Sequence, residues 1–193
     1  SGCIAMFKFD IVTATQKLSF AYENCSRKYP RNIRLILKFL IPLRLLQGKQ
    51  IPSHALLARY SLADYYRTII DAYKKGDIHA LRQSIQDNQI VFIKQGVYLI
   101  LEKLVMLAFR NLFKKAYKIL NPPNNLVMMA QFHKAVAFRN EIDIDEVECM
   151  VANLIYRKYI KGYIARRGDS SALKLDKTEA FPPLAKIFSS QTL

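Results

Sequence analysis

Residues 143–175, DIDEVECMVANLIYRKYIKGYIARRGDSSALKL, decide the reading of the fold. Asp143 followed by Glu146 is a capping box, in which each side chain satisfies a backbone N–H of the other residue. It opens a helix predicted over about 144–158. The period then changes from helix to strand. IKGYIA (160–165) reads as a strand, ARRGDSS (165–171) contains the turn at 166–170, and ALKL (172–175) reads as the returning strand. Upstream, Asn121-Pro122-Pro123-Asn124 breaks the chain. Before it lies an amphipathic helix over about 107–120, and after it a helix over about 125–138. Three helices followed by a β-hairpin is the order of a winged helix.

Working toward the N-terminus, every segment reads as helix. Residues 11–27 carry Val12, Leu18, Ala21, Tyr22 and Cys25 at helical spacing, with Phe7, Phe9 and Asp10 at a corner before them. Residues 31–46 form a second helix that Pro42 should kink and Gly48 should end. Shorter helices are predicted over about 53–59, 64–75 and 77–88, with Gly76 closing one and Asp77 capping the next. Residues 92–120 are helical throughout, either bent or in two pieces. Their second part sets Phe109, Leu112, Phe113, Ala116 and Tyr117 against Arg110, Lys114, Lys115 and Lys118. Short helices joined by short loops pack as antiparallel hairpins stacked side by side, a TPR-like arrangement.

The expected fold is therefore mainly α. Helical-hairpin repeats occupy 1–105, a winged-helix subdomain 106–180, and an extended tail from Pro182-Pro183 fills 181–193. The chain opens inside what reads as a helix, as a piece of a longer protein would.

The 193 residues include 30 Lys+Arg against 15 Asp+Glu, a net charge of +15. Half of the chain is apolar, which excludes disorder. Residues 1–60 hold 10 basic and 2 acidic side chains, 61–120 hold 10 and 5, and 121–193 hold 10 and 8. Such a surface attracts phosphate backbones or an acidic protein. Cys3, Cys25 and Cys149 make no CxxC pair and suit a reducing compartment. The most apolar stretch, Gly96 to Phe109, is interrupted by Glu102 and Lys103, so no run reaches the ~18 residues of a membrane span. His54, His79 and His133 lie far apart, and no phosphate-binding, dinucleotide or nucleophile-elbow motif occurs. No enzyme, metal, cofactor or small-molecule substrate is expected.

The phrases LSFAYENC (18–25), YLILEKL (98–104), RNLFKKAYKIL (110–120), DIDEVECMVANLIY (143–156), IKGYIA (160–165) and FPPL (181–184) resemble the PCI-domain family. Within it they are most similar to the PCI subunits of the nuclear, transcription-coupled mRNA-export complex. The resemblance implies helical repeats ending in a winged helix, and a non-enzymatic scaffold that docks at nuclear pores. It implies three kinds of partner: a large PCI-type scaffold subunit, a small acidic disordered protein, and RNA or DNA.

The first turns of the recognition helix carry Asp145, Glu146 and Glu148, which would repel phosphates, so base-specific reading there is not expected. Phosphate contacts are expected instead from Arg157, Lys158, Lys161, Arg166, Arg167 and Lys174. Tyr159 and Tyr163 are candidates for base stacking, with packing of the hairpin as their competing role. Arg31, Arg34, Lys38, Arg44 and Arg59 are the expected contacts for the acidic partner. Two other readings stand beside this one: a protein-only subunit of a proteasome-lid or signalosome type, and a free-standing winged-helix transcription factor.

Overall fold

The computed structural model describes residues 2, 6, 10–137, 141–168 and 170–190. Phe7, Phe9 and Cys3, the predicted helix end at Phe138, and Asp169 in the turn lie outside the described residues. Among the described residues from Asp10 onward, seven helices come first: α1 (Ile11–Asn24), α2 (Pro30–Leu46), α3 (His54–Arg59), α4 (Ala63–Lys75), α5 (Ile78–Asp87), α6 (Gln89–Gln95) and α7 (Tyr98–Leu120). A 3-10 turn leads into strand β1 (Leu126–Met128) and α8 (Met129–Ala137). Then follow α9 (Ile144–Tyr156), β2 (Gly162–Arg167), β3 (Ser170–Leu175) and α10 (Leu184–Ser190). Among the described residues, no helix is long and apolar enough to cross a membrane.

Local chemistry sets the helix ends. Asp10, Ser53 and Asp77 each accept a backbone N–H three residues on, from Thr13, Leu56 and Ala80. Gly76 ends α4 at φ +74°, and a Cβ there would lie 2.9 Å from the Leu112 backbone. Only glycine satisfies both the left-handed turn and this close approach of α4 to α7.

Pro42 stands inside α2 without ending it. A proline has no N–H, so it leaves the carbonyl four residues back, that of Lys38, without its helical donor. The hydroxyl of Tyr66, fully buried on α4, donates to that carbonyl at 2.8 Å. Tyr73 repeats the contact two turns further on, donating to the Leu45 carbonyl at 3.1 Å. Burial raises the pKa of both phenols, so both remain donors. These two bonds lock α4 against α2, and the core continues through Leu101, Leu104 and Phe113 of α7 into Phe132, Val151 and Leu154.

The sheet is antiparallel in the order β1-β3-β2. Val127, Leu173 and Ile164 share one cross-strand row facing the helices, and Leu126, Lys174 and Tyr163 form the next row on the opposite face. The secondary structure departs from the sequence reading in four places. Residues 126–128, expected at the start of a helix, are a strand, because β3 supplies their backbone partners. Gly96 at φ +71° divides α6 from α7. The turn of the hairpin is tighter, with β2 and β3 reaching Arg167 and Ser170. Finally, the expected extended tail is the helix α10. Leu184, Ile187 and Phe188 recur at helical spacing and are buried, and the adjoining Pro183 suits a helix start.

Arg110 also departs from its expected place among the exposed cations of α7. It is 4% exposed, and donates Nε to the Tyr159 carbonyl at 2.9 Å and Nη2 to the Pro182 carbonyl at 2.6 Å. Its guanidinium lies over the Phe181 ring. It thereby joins α7 to the end of α9 and to the segment before α10.

Candidate nucleic-acid interface

The capping box forms as predicted: Glu146 N donates to Asp143 Oδ1 at 2.7 Å, and Asp143 N donates to Glu146 Oε2 at 3.3 Å. At the other end of α9, Tyr159 N donates to the Leu154 carbonyl and Lys158 N to that of Ile155, each at 2.8 Å. This is a Schellman motif, whose left-handed residue is usually glycine. Here it is Lys158, at φ +62°. Leu154 and Tyr159, the positions whose side chains accompany this motif, are both buried. The arrangement leaves Tyr156, Arg157 and Lys158 exposed, with Tyr156 at 86%.

The predicted cations are engaged to different extents. Arg157 lies on the wall of a groove shared with Leu99, Glu102 and Phe188, and, like Lys158, has no carboxylate ion-pair partner among the described residues. Lys161 Nζ lies 2.6 Å from Glu179 Oε2, which raises the ammonium pKa. Glu179, held also by Lys186, is lowered in turn. Arg166 donates Nε and Nη2 to Glu148 Oε1 at 3.0 and 2.7 Å. The Ser171 hydrogen bond, and then Arg166, hold the Glu148 carboxyl below its ordinary range. Lys174 Nζ donates to the Asn124 carbonyl. Arg167 is placed only through its backbone pairing with Ser170.

The acidic start of α9 is thus used internally. Glu146 closes the capping box and Glu148 fastens the wing, while Asp145 adds a weaker attraction to Arg166. Of the two tyrosines, Tyr159 is buried with its ring 6.3 Å from that of Phe188, whereas Tyr163 is 62% exposed on the outer sheet face beside Lys174. Sequence reasoning missed Tyr156, whose signal was its place immediately before Arg157 on the polar side of α9.

At the N-terminal end, Arg34 Nη2 donates to the Ser61 carbonyl and Arg44 Nη2 to Ser19 Oγ, each at 3.2 Å. Arg44 also lies over Tyr22, and Arg59 over Tyr60. Lys38 is half-buried and Arg31 exposed. Arg34 and Arg44 therefore tie α2 to its neighbours. His54 is held between Asp71 and Arg67, and His133 bonds the Ile142 carbonyl.

Residues 85–169, from the end of α5 through the hairpin turn, match the family model described as the PCI domain. The chain belongs to the PCI-domain family. The chain is similar along nearly its whole length to curated relatives. It is 38% identical over 188 residues to PCI domain-containing protein 2 of Danio rerio, covering 96% of this chain and 46% of that one. It is 38% identical over 189 residues to Enhanced ethylene response protein 5 of Arabidopsis thaliana, covering 95% and 45%. To Protein CSN12 homolog of Neurospora crassa it is 31% identical over 195 residues, covering 94% and 43%. The chain thus spans less than half the length of these relatives. Their names carry no enzymatic activity. Helical repeats joined to a winged helix form the architecture of a PCI domain.

Proposed function

We propose that this PCI domain belongs to a scaffold subunit of the nuclear mRNA-export complex. In that reading it pairs with a large PCI-type subunit and a small acidic protein near the nuclear pore, and offers a winged-helix surface to RNA or DNA. The observation that carries the nucleic-acid part is the end of α9. A lysine occupies a left-handed position where glycine would cost less, and it stands next to an exposed tyrosine and arginine without carboxylate partners among the described residues. Tyr163 and Lys174 extend the same chemistry onto the outer face of the sheet. Aromatic faces for stacking and cations for phosphates suit a single strand bound with little sequence preference. The export assignment rests on the phrases over 98–120 and 143–165 and on similarity to the relatives above.

Fluorescence anisotropy of the chain with single-stranded RNA and duplex DNA across a salt series tests the nucleic-acid part. Affinity should fall with salt, and the Arg157→Gln/Lys158→Gln variant should lower the slope for RNA by about 1.4, at ~0.7 per phosphate contact. An unchanged slope rules out this surface. Co-purification of the tagged chain from nuclear extract with a second PCI subunit and an acidic protein tests the complex.

A protein-only PCI scaffold is the second reading, favoured by the internal engagement of Lys161, Arg166 and Lys174. It predicts no RNA binding at low salt.

A further inference from the structure

A second basic region lies away from the wing. Lys74 at the end of α4 and Arg110, Lys114, Lys115 and Lys118 of α7 line a hollow of about 450 Å³, closed on one side by Leu184 of α10. No carboxylate is among its lining residues. We propose that this hollow binds a compact polyphosphate, an anion carrying two or more phosphate groups.

Three observations support the assignment. First, the five cations line one concavity within the size range of small-ligand sites, roughly 300–1,000 Å³. A cleft lined by one sign of charge focuses its field and concentrates the opposite ion. Second, Arg110 is a buried charge whose guanidinium donates to the Tyr159 and Pro182 carbonyls, and no carboxylate pairs with it among the described residues. Buried charges are normally paired, and guanidinium suits phosphate oxygens. Third, the walls are fixed in advance. Asn111 donates to the Tyr73 carbonyl, Lys115 Nζ donates to the Lys75 carbonyl, and Tyr73 is anchored to α2. The Lys114 ammonium is held below the ordinary lysine range by desolvation and then by the charges of Arg110 and Lys118, a repulsion that a bound anion would relieve.

The form of the site favours a free polyanion over a nucleic-acid strand. The cations line one open hollow together with Ile51 and Leu184, whereas a strand needs a groove that follows its backbone.

Isothermal titration calorimetry of the chain with sodium tripolyphosphate and with inositol hexakisphosphate, at 0.15 M salt, tests the site. One equivalent should bind saturably, and the thermal midpoint should rise with ligand. Lys114→Gln/Lys118→Gln should weaken binding at least tenfold, while Arg157→Gln/Lys158→Gln leaves it unchanged. The exposed Lys74→Gln serves as a milder second variant should the double one lose its far-UV circular dichroism. By NMR, the Lys114 ammonium should titrate at higher pH with tripolyphosphate bound. Absence of saturable binding overturns the proposal. So does equal weakening by the two double variants, which would mark diffuse attraction. Displacement of tripolyphosphate by single-stranded RNA, with the RNA depending on Lys114 and Lys118, would assign the hollow to a nucleic-acid path instead.

Discussion

The wing and the end of α7 are both rich in lysine and arginine, yet their charges meet different surroundings. On the wing, Arg166 has Glu148 and Lys161 has Glu179. Around the α7 hollow, five cations share one cavity whose lining residues include no carboxylate. Counting charges along the chain therefore misjudges both regions. The wing offers less available charge than its composition suggests. The α7 hollow concentrates charge that composition presents as an ordinary solvated helix face.

Arg110 provides the sharpest break between the two. Unlike the cations of the wing it is buried, and its removal leaves two carbonyls without their donor. Arg110→Met should cost about 3 kcal/mol, read from chemical denaturation. A small loss would mean that these carbonyls find other partners and that Arg110 is no structural tie. Next in size is Phe188→Ala on α10, which should cost about 2 kcal/mol through lost apolar burial. It tests whether α10 belongs to the winged-helix core.

Lys158→Gly has the opposite sign. Glycine relieves the left-handed backbone, so the protein should gain up to about 1 kcal/mol. The same variant should lower the salt slope for RNA by about 0.7. Greater stability with weaker binding would mark Lys158 as a residue kept for contact; greater stability with unchanged binding would remove it from the interface.

The smallest effect concerns the wing's own ion pairs. Glu148→Gln should lower stability only slightly, since the Arg166 end of the pair is exposed, yet it should strengthen RNA binding by releasing Arg166. The pH dependence runs in two directions. The Glu148 carboxyl is lowered in the folded state, so its contribution is present at neutral pH and is lost as pH falls through that lowered value. The Lys161 ammonium is raised, so its contribution persists through neutral pH and is lost only as pH rises through that raised value. Thermal midpoints across pH for the parent and for Glu148→Gln should separate the acid limb, which flattens in the variant.

Several features were legible because their causes are local. The Asp143–Glu146 box, the Asp77 cap and the change of period at residue 160 each depend on side chains a few positions apart. So does the order of three helices and a hairpin that carries the winged-helix reading. The tail was misread because Pro182-Pro183 outweighed the spacing of Leu184, Ile187 and Phe188. In the candidate interface, the basic end of α9 was visible from its charges, and the exposure of Tyr156 was not.

By itself, then, the sequence determined the helical repeats, the caps and the winged-helix order, since hydrogen bonds within a turn or a strand pattern need no distant partner. Only the tertiary structure decided which cations are free to act. Glu148 meets Arg166 across 18 residues, Arg110 meets Pro182 across 72, and β1 becomes a strand because β3 comes back beside it. Tyr66 takes the Lys38 carbonyl that Pro42 leaves open, 28 residues away. In each case the energy comes from satisfying a charge or a backbone group after the chain has closed on itself.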